Sequence, residues 1–254
     1  IQADKMSSLG ILVAGVAHEI NNPATSLMLN APNLKKARHS FLPVLDNHFE
    51  TDTAARVCNM AYPDLRKRID LMLTAIEDGA VRIKRIISEL KDFSRPTSTD
   101  MDNNVDAGLL IQKSLDLTAS ILKKSTMNLS VDCRQDIPPV KGNFQKLQQV
   151  VINLLVNAAQ ALEKKEQAIK VSTFLDREND VVVIQVADTG PGASPKDLKR
   201  MKDPFFTTRR DDGGTGLGLS ISEKIVAEHG GILEFSSIQG KGLTARILLP
   251  RKGK

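Results

Sequence analysis

The chain has 254 residues, 41% hydrophobic and 26% charged, an ordinary globular composition with apolar material for one large or two modest domains, of which two is the preferred reading. Its 35 basic and 30 acidic residues leave a formal net charge of +5 but are interspersed, and Tyr62 and eight Phe are its only aromatics, so no nucleic-acid partner is expected. No run approaches roughly 18 apolar residues, and Cys58 and Cys133 sit in no ligand-spaced cluster; a membrane span, a zinc site and a disulfide framework are not expected, and a reduced, cytoplasmic setting is. The start Ile1-Gln2-Ala3-Asp4-Lys5 reads as a cut, so any membrane anchor or sensor module would belong to a missing N-terminal part.

Apolar residues at Leu9, Val13, Val16, Ile20, Ala24 and Leu27 recur at helical spacing and predict a helix over about Ala3 to Leu29. His18 lies off this seam, rotated by roughly 200° from Val16 at about 3.6 residues per turn, with Glu19 beside it and Asn22 one turn on. These three are expected to share one exposed ridge, and Pro23 to kink the helix next to it. Between Asn30 and Tyr62, Pro32, Pro43 and Pro63 punctuate a polar stretch that reads as helical pieces broken by turns, with His39 and His48 as solvated surface. A second helix follows from about Pro63 to Ser94, its seam Ile69, Leu73, Ile76, Ala80, Ile83, Ile87 and Leu90. Two such seams make a hairpin whose apolar edges predict a homodimeric four-helix bundle, the alternative being that they pack on the other domain.

Ser94-Arg95-Pro96-Thr97-Ser98-Thr99-Asp100 stops the helix and opens a linker, so the domains are expected at 1–97 and 98–254. In the second, helices are predicted from Asp106 to about Lys124, Phe144 to Glu163 and Leu219 to Glu228. Strands are predicted over Leu129 to Cys133, Ile169 to Leu175, Val181 to Ala187, Ile232 to Ser236 and Leu243 to Leu249. The sum is an α+β two-layer sandwich, a sheet with helices on one face.

Three features of this domain converge. Asn153 and Asn157 are one turn apart on a helix whose other face is apolar; Asp188-Thr189-Gly190-Pro191-Gly192 puts a carboxylate at a strand end before a tight turn; Gly213-Gly214-Thr215-Gly216-Leu217-Gly218-Leu219-Ser220 runs into a helix, an arrangement suited to phosphate. The spacings match neither a Walker loop, nor the protein-kinase set, nor a dinucleotide fold.

Taken together, these segments resemble the kinase core of a bacterial two-component sensor histidine kinase, over nearly the whole chain. His18-Glu19-Ile20-Asn21-Asn22-Pro23 is similar to the family's phosphoacceptor box and Asn153 through Ala161 to its asparagine box. Asp188 to Gly192 resembles the first glycine box, Asp203-Pro204-Phe205-Phe206-Thr207-Thr208 the phenylalanine box, and Gly214 to Ser220 the second glycine box. The resemblance implies a histidine kinase/Hsp90-like ATPase fold for the second domain, with ATP and Mg²⁺ as cofactors. It implies that Asp188 accepts from the adenine amino group, that Asn157 ligates Mg²⁺ with Asn153 in support, and that the segment from Asp203 to Gly214 covers the nucleotide. Gly190, Gly192, Thr208, Gly214, Gly216, Leu217 and Gly218 complete the implied nucleotide contacts, with Arg209 or Arg210 meeting the phosphates or else lying on a solvated lid surface. His18 would take the γ-phosphoryl group, Glu19 the proton of its other ring nitrogen, and Asn22 would orient water for dephosphorylating the partner, the receiver domain of a response regulator. Two departures stand out: the interval around 33–62 looks like an insertion, and Gly240-Lys241-Gly242-Leu243-Thr244-Ala245 replaces the family's Gly-x-Gly-Thr-x-Phe. A non-catalytic dimeric ATP-binding module and an ATPase of the same fold are the competing readings.

Overall fold

The structure is a computed structural model that describes residues 2–49, 56–94, 103–134, 136–209 and 214–251; the side chains of 2–19, 21–22, 85 and 89–94 lie outside the described set. The chain divides into two compact units, Ile1–Arg95 and Pro96–Lys254.

The first unit is a helical hairpin of α1 (Gln2–Phe49) and α2 (Tyr62–Ser94), joined through the two-residue strands β1 (Arg56–Val57) and β2 (Met60–Ala61). The broken pieces expected between Asn30 and Phe49 are instead one unbroken continuation of α1. The reason is the face turned to α2. Ala24, Met28, Ala31, Lys35, Arg38, Leu42, Leu45 and Phe49 alternate in steps of four and three and are all buried or half-buried, but two of them are charged, so the apolar period is lost to a reader of sequence. Lys35 pairs with Glu77 at 3.0 Å, Arg38 with Asp70, and Asp46 accepts from Arg66 at 3.0 Å and from the Tyr62 hydroxyl at 2.7 Å, holding one antiparallel register. Pro23, Pro32 and Pro43 all lie on the exposed side, where their rings disturb no packing. On α2, Leu65, Ile69, Leu73, Glu77, Ala80, Ile83 and Ile87 face inward; Glu77 takes the place the sequence gives to Ile76, which stays 40% exposed, as do Leu27 at 44% and Ile20 at 40% on α1. Cys58 and Asn59 at the tip both have positive φ, 53° and 62°, the primed turn that suits the twist of a two-residue hairpin. Leu90 lies outside the described side chains.

The second unit begins with β3 (Asn104–Val105), α3 (Ala107–Ser125), β4 (Asn128–Cys133), β5 (Val140–Lys141) and α4 (Phe144–Ala161). It continues through β6 (Ala168–Asp176), β7 (Val181–Asp188), α5 (Pro195–Arg200), α6 (Gly218–Glu228), β8 (Ile232–Ile238) and β9 (Gly242–Pro250). Five strands form a sheet in the order β4-β6-β7-β9-β8, antiparallel throughout except for β4 with β6, which α4 joins as a crossover. Strands β3 and β5 and helix α5 are additions to the sequence reading; two-residue strands carry no period to read. Val182, Ile184, Val186 and Asp188 of β7 and Ala245, Ile247 and Leu249 of β9 share one buried face, against which Leu147, Val150, Val151, Leu154 and Leu155 of α4 and Ile221 and Val226 of α6 complete the core. The result is the expected sandwich, with helices on one side of the sheet. Among the described residues no helix is long and apolar enough to cross a membrane.

Candidate functional site

Helix α4 is the floor of the site. Its apolar stripe commits one face to the core, which leaves Asn153 and Asn157 half-buried on the adjacent face one turn apart. Asn157 Nδ2 donates to Asn153 Oδ1 at 3.5 Å, and Asn153 Nδ2 donates to Ser222 Oγ of α6 at 2.9 Å. Gly218, the first residue of α6, lies so close that an added Cβ would stand 2.6 Å from Asn153 Oδ1. The phosphate-type loop and the asparagine pair are therefore brought together, and α6 alone of the helices α3 to α6 has no side chain capping its N-terminus. Its first N–H groups are oriented toward the loop, a favourable setting for an anion.

At the other end of the floor Gly190 meets the carbonyl of Ala161, where an added Cβ would come within 2.8 Å. This seats the turn after β7 and fixes Asp188, whose Oδ1 accepts from the Gly190 N–H at 2.8 Å. Asp188 is buried, and burial raises its pKa above the usual carboxylate value of 3.8 against the opposing pull of the Gly190 and Leu243 amides and the charge of Arg209. Gly192, with φ of 70°, faces the β8–β9 turn: its Cβ position lies 2.7 Å from Ile238 O and from Ser237 Oγ. Ser237, the Gly240 N–H bonded at 2.7 Å to Pro191 O, and the Leu243 amide thus brace the aspartate turn. Sequence reasoning overlooked Ser222, Ser237 and the Leu243 amide; the glycines at 240 and 242 signalled a turn but not what it braces. Thr244 pairs with Ala187 and stands on the sheet face opposite to Asp188.

The segment expected to cover the nucleotide is rooted at Phe205, which is exposed and has φ of 66°, and at Gly216, whose carbonyl accepts from the Phe205 N–H at 2.9 Å. Gly216 has φ of 71° and no room for a side chain beside the Phe205 and Phe206 backbone. The Arg200 guanidinium lies 4.6 Å from the Phe206 ring centroid, and Lys202 pairs with Glu223 of α6 at 2.8 Å, tying the root of the segment to the helix that carries Gly218. Thr208 is exposed, whereas Thr207 Oγ1 accepts from the Arg209 N–H at 3.1 Å and abuts Gly214. Leu217 is 1% exposed, so its side chain belongs to the core and only its backbone faces the loop. Arg210 and residues 211–213 lie outside the described residues. His18, Glu19 and Asn22 are on α1, but their side chains are outside the described set.

The donor set suits a hard cation only in part. Among the described residues no cluster of His, Cys, Asp and Glu could hold a metal, and the candidate protein ligand is the amide oxygen of Asn157, whose Nδ2 is turned to Asn153. One amide oxygen together with phosphate oxygens and water fits Mg²⁺.

Residues 142–253 match the family described as histidine kinase-, DNA gyrase B-, and HSP90-like ATPase. The chain as a whole is 35% identical over 248 residues to a sensor protein of Shewanella frigidimarina and 30% identical over 249 residues to sporulation kinase E of Bacillus subtilis, 97% and 98% of this chain being covered. The chain carries a histidine kinase catalytic core. It spans about a third of the length of these curated relatives, 37% and 29% respectively. The catalytic domain of histidine kinase ThkA superposes with a TM-score of 0.53 at 26% identity, covering 59% of this chain and 98% of that one. Full-length ShkA in complex with AMPPNP shares the fold over 94% of this histidine kinase core and 45% of its own chain, with a TM-score of 0.66 at 19% identity.

Proposed function

We propose that this kinase core binds ATP with Mg²⁺ in the site between α4 and α6 and phosphorylates His18, from which the phosphoryl group passes to an aspartate of a response-regulator receiver domain. The observation that carries the reading is the meeting of Asn153 with Gly218 and Ser222 in one unit that also holds the buried Asp188. Asp188 accepts from the exocyclic amino group of adenine. Asn157 offers its oxygen to Mg²⁺, with Asn153 holding it in place, and the N-terminus of α6 with Gly214, Gly216 and Gly218 receives the phosphates. Arg209, whose charge acts on Asp188, lies on the covering segment and supplies a charge-assisted donor. A ring nitrogen of His18 attacks the γ-phosphorus as its bond to the bridging oxygen breaks, ADP leaves, and Glu19 accepts the proton of the other ring nitrogen. Asn22 orients water when the regulator's phosphate is removed. The exposed stripe Ile20, Leu27, Leu34 and Phe41 on α1, spaced by sevens, supports a homodimer of hairpins.

Incubation with γ-labelled ATP and Mg²⁺ tests the reading. Acid-labile, base-stable label that is absent from His18→Ala and moves to a receiver domain is expected. ATP binding without label would favour a regulatory module, and release of inorganic phosphate without label an ATPase.

A further inference from the structure

His229 is the one described histidine sealed into the second unit, 6% exposed at the end of α6 and more than ten residues from the nucleotide contacts. Both ring nitrogens are engaged by main chain. Nδ1 lies 2.7 Å from the carbonyl of Ile225, which can only accept, so Nδ1 carries the proton. Nε2 then has its lone pair free and accepts from the Asn143 N–H at 3.0 Å, across 86 positions of sequence. Asn143 is the N-cap of α4, its side chain accepting from the Lys146 N–H at 3.0 Å. Gly142 makes the approach possible, since an added Cβ there would stand 2.2 Å from the imidazole Cδ2. The charged groups facing the ring are Lys146 of α4 and Glu228 of α6, bound to each other at 2.9 Å.

From this clamp the two helices run antiparallel to the site. Asn153 is ten residues along α4 and Gly218 eleven back along α6, about 15 Å in each case at about 1.5 Å per residue. A slip of one residue at the clamp would carry Gly218 and Ser222 away from Asn153. The geometry points to His229 as a positioning residue for the nucleotide site: in its neutral Nδ1–H form it locks the register of α6 on α4, and so the spacing between the asparagine pair and the phosphate-binding helix N-terminus. The inference rests on the ATP-site reading above. Protonation at Nε2 turns the acceptor into a donor facing the Asn143 N–H, and the lock opens. Burial first, with the Lys146 charge in support, holds the pKa below the usual 6.5 against the pull of the Ile225 and Asn143 main chain and the Glu228 charge, which keeps the lock shut at neutral pH. The sign follows: below about 6.5 the unfolded chain takes up a proton that the folded one resists, so the clamp loses stability as pH falls.

Titration calorimetry of the full chain with ATP and Mg²⁺ decides it. His229→Ala is expected to weaken binding about tenfold, and His229→Gln, whose amide oxygen can still accept from Asn143, to recover most of that. Wild-type affinity should fall between about pH 8 and pH 5.5 more steeply than that of His229→Gln, since every other titrating group is common to both. His229→Ala that is folded at the assay temperature and binds as tightly as wild type overturns the inference; so do coincident pH profiles of wild type and His229→Gln, which decide alone if the alanine variant does not fold. A wild-type chain that binds no ATP, or Asn157→Ala that binds it unchanged, instead overturns the site reading.

Discussion

At the scale of single residues the site joins atoms that tolerate little displacement. Gly218→Ala gains up to about 1 kcal/mol of helix propensity but pushes Asn153 aside. Its melting temperature should hold or rise while ATP affinity drops about tenfold, a separation that thermal unfolding and calorimetry measure together. Asn157→Ala removes the only proposed protein ligand to Mg²⁺, and label transfer from ATP should fall by about 100-fold or more, since even partners behind metal ligands cost about 10–100-fold. Asp188 has a folded-state pKa above the ordinary one, so the charged form subtracts stability above its titration and nothing below it. Asp188→Asn should therefore melt no lower than wild type at pH 7 while losing ATP affinity. The same upward shift makes wild-type ATP binding fail on acidification sooner than an ordinary carboxylate would, by binding isotherms across acid pH.

At the scale of elements, the hairpin depends on ion pairs set within its seam. The Arg38 side chain is 12% exposed, with an Nε that finds no partner, and Asp70 answers the guanidinium. Asp70→Ala strands that charge and should cost about 1–3 kcal/mol in urea unfolding, while Arg38→Leu with Asp70→Leu restores stability, because desolvation no longer opposes burial. These pairs also explain what sequence could and could not reveal. Helix α2 and the strands of the sheet were legible because their inward positions are almost all apolar, Asn153 because it stands one turn from Asn157 beside the apolar stripe of a helix, and Asp188 and the glycine loop because each is tied to a strand end or helix start. The second half of α1 was hidden, since Lys35 and Arg38 occupy inward positions and Pro32 and Pro43 suggest breaks that occur harmlessly on the outer side. Ser222, Ser237 and His229 were illegible for a different reason: their roles arise from partners 69, 44 and 86 positions away.

At the scale of the molecule, the hairpin exposes Ile20, Leu27, Leu34, Phe41, Leu71 and Met72, more apolar surface than a lone pair of helices is expected to leave in water. Light scattering should give the mass of a dimer, and Leu34→Glu with Phe41→Glu the mass of a monomer. The prolines of α1 bear on how such a rod responds to force. Each lacks an N–H, so the carbonyls of Glu19, Met28 and His39, four residues earlier, lose their helical donors, while α2 has proline only at its first turn. The hairpin is in effect a bimetallic strip: one leg is notched three times on its outer side and the other is whole. Bending or torsion applied to it concentrates at the notches, and the notch at Pro23 frees a carbonyl in the residue right after His18. A strain too small to melt the hairpin would thus reach, at one of its three notches, the turn that carries His18, the proposed phosphoacceptor.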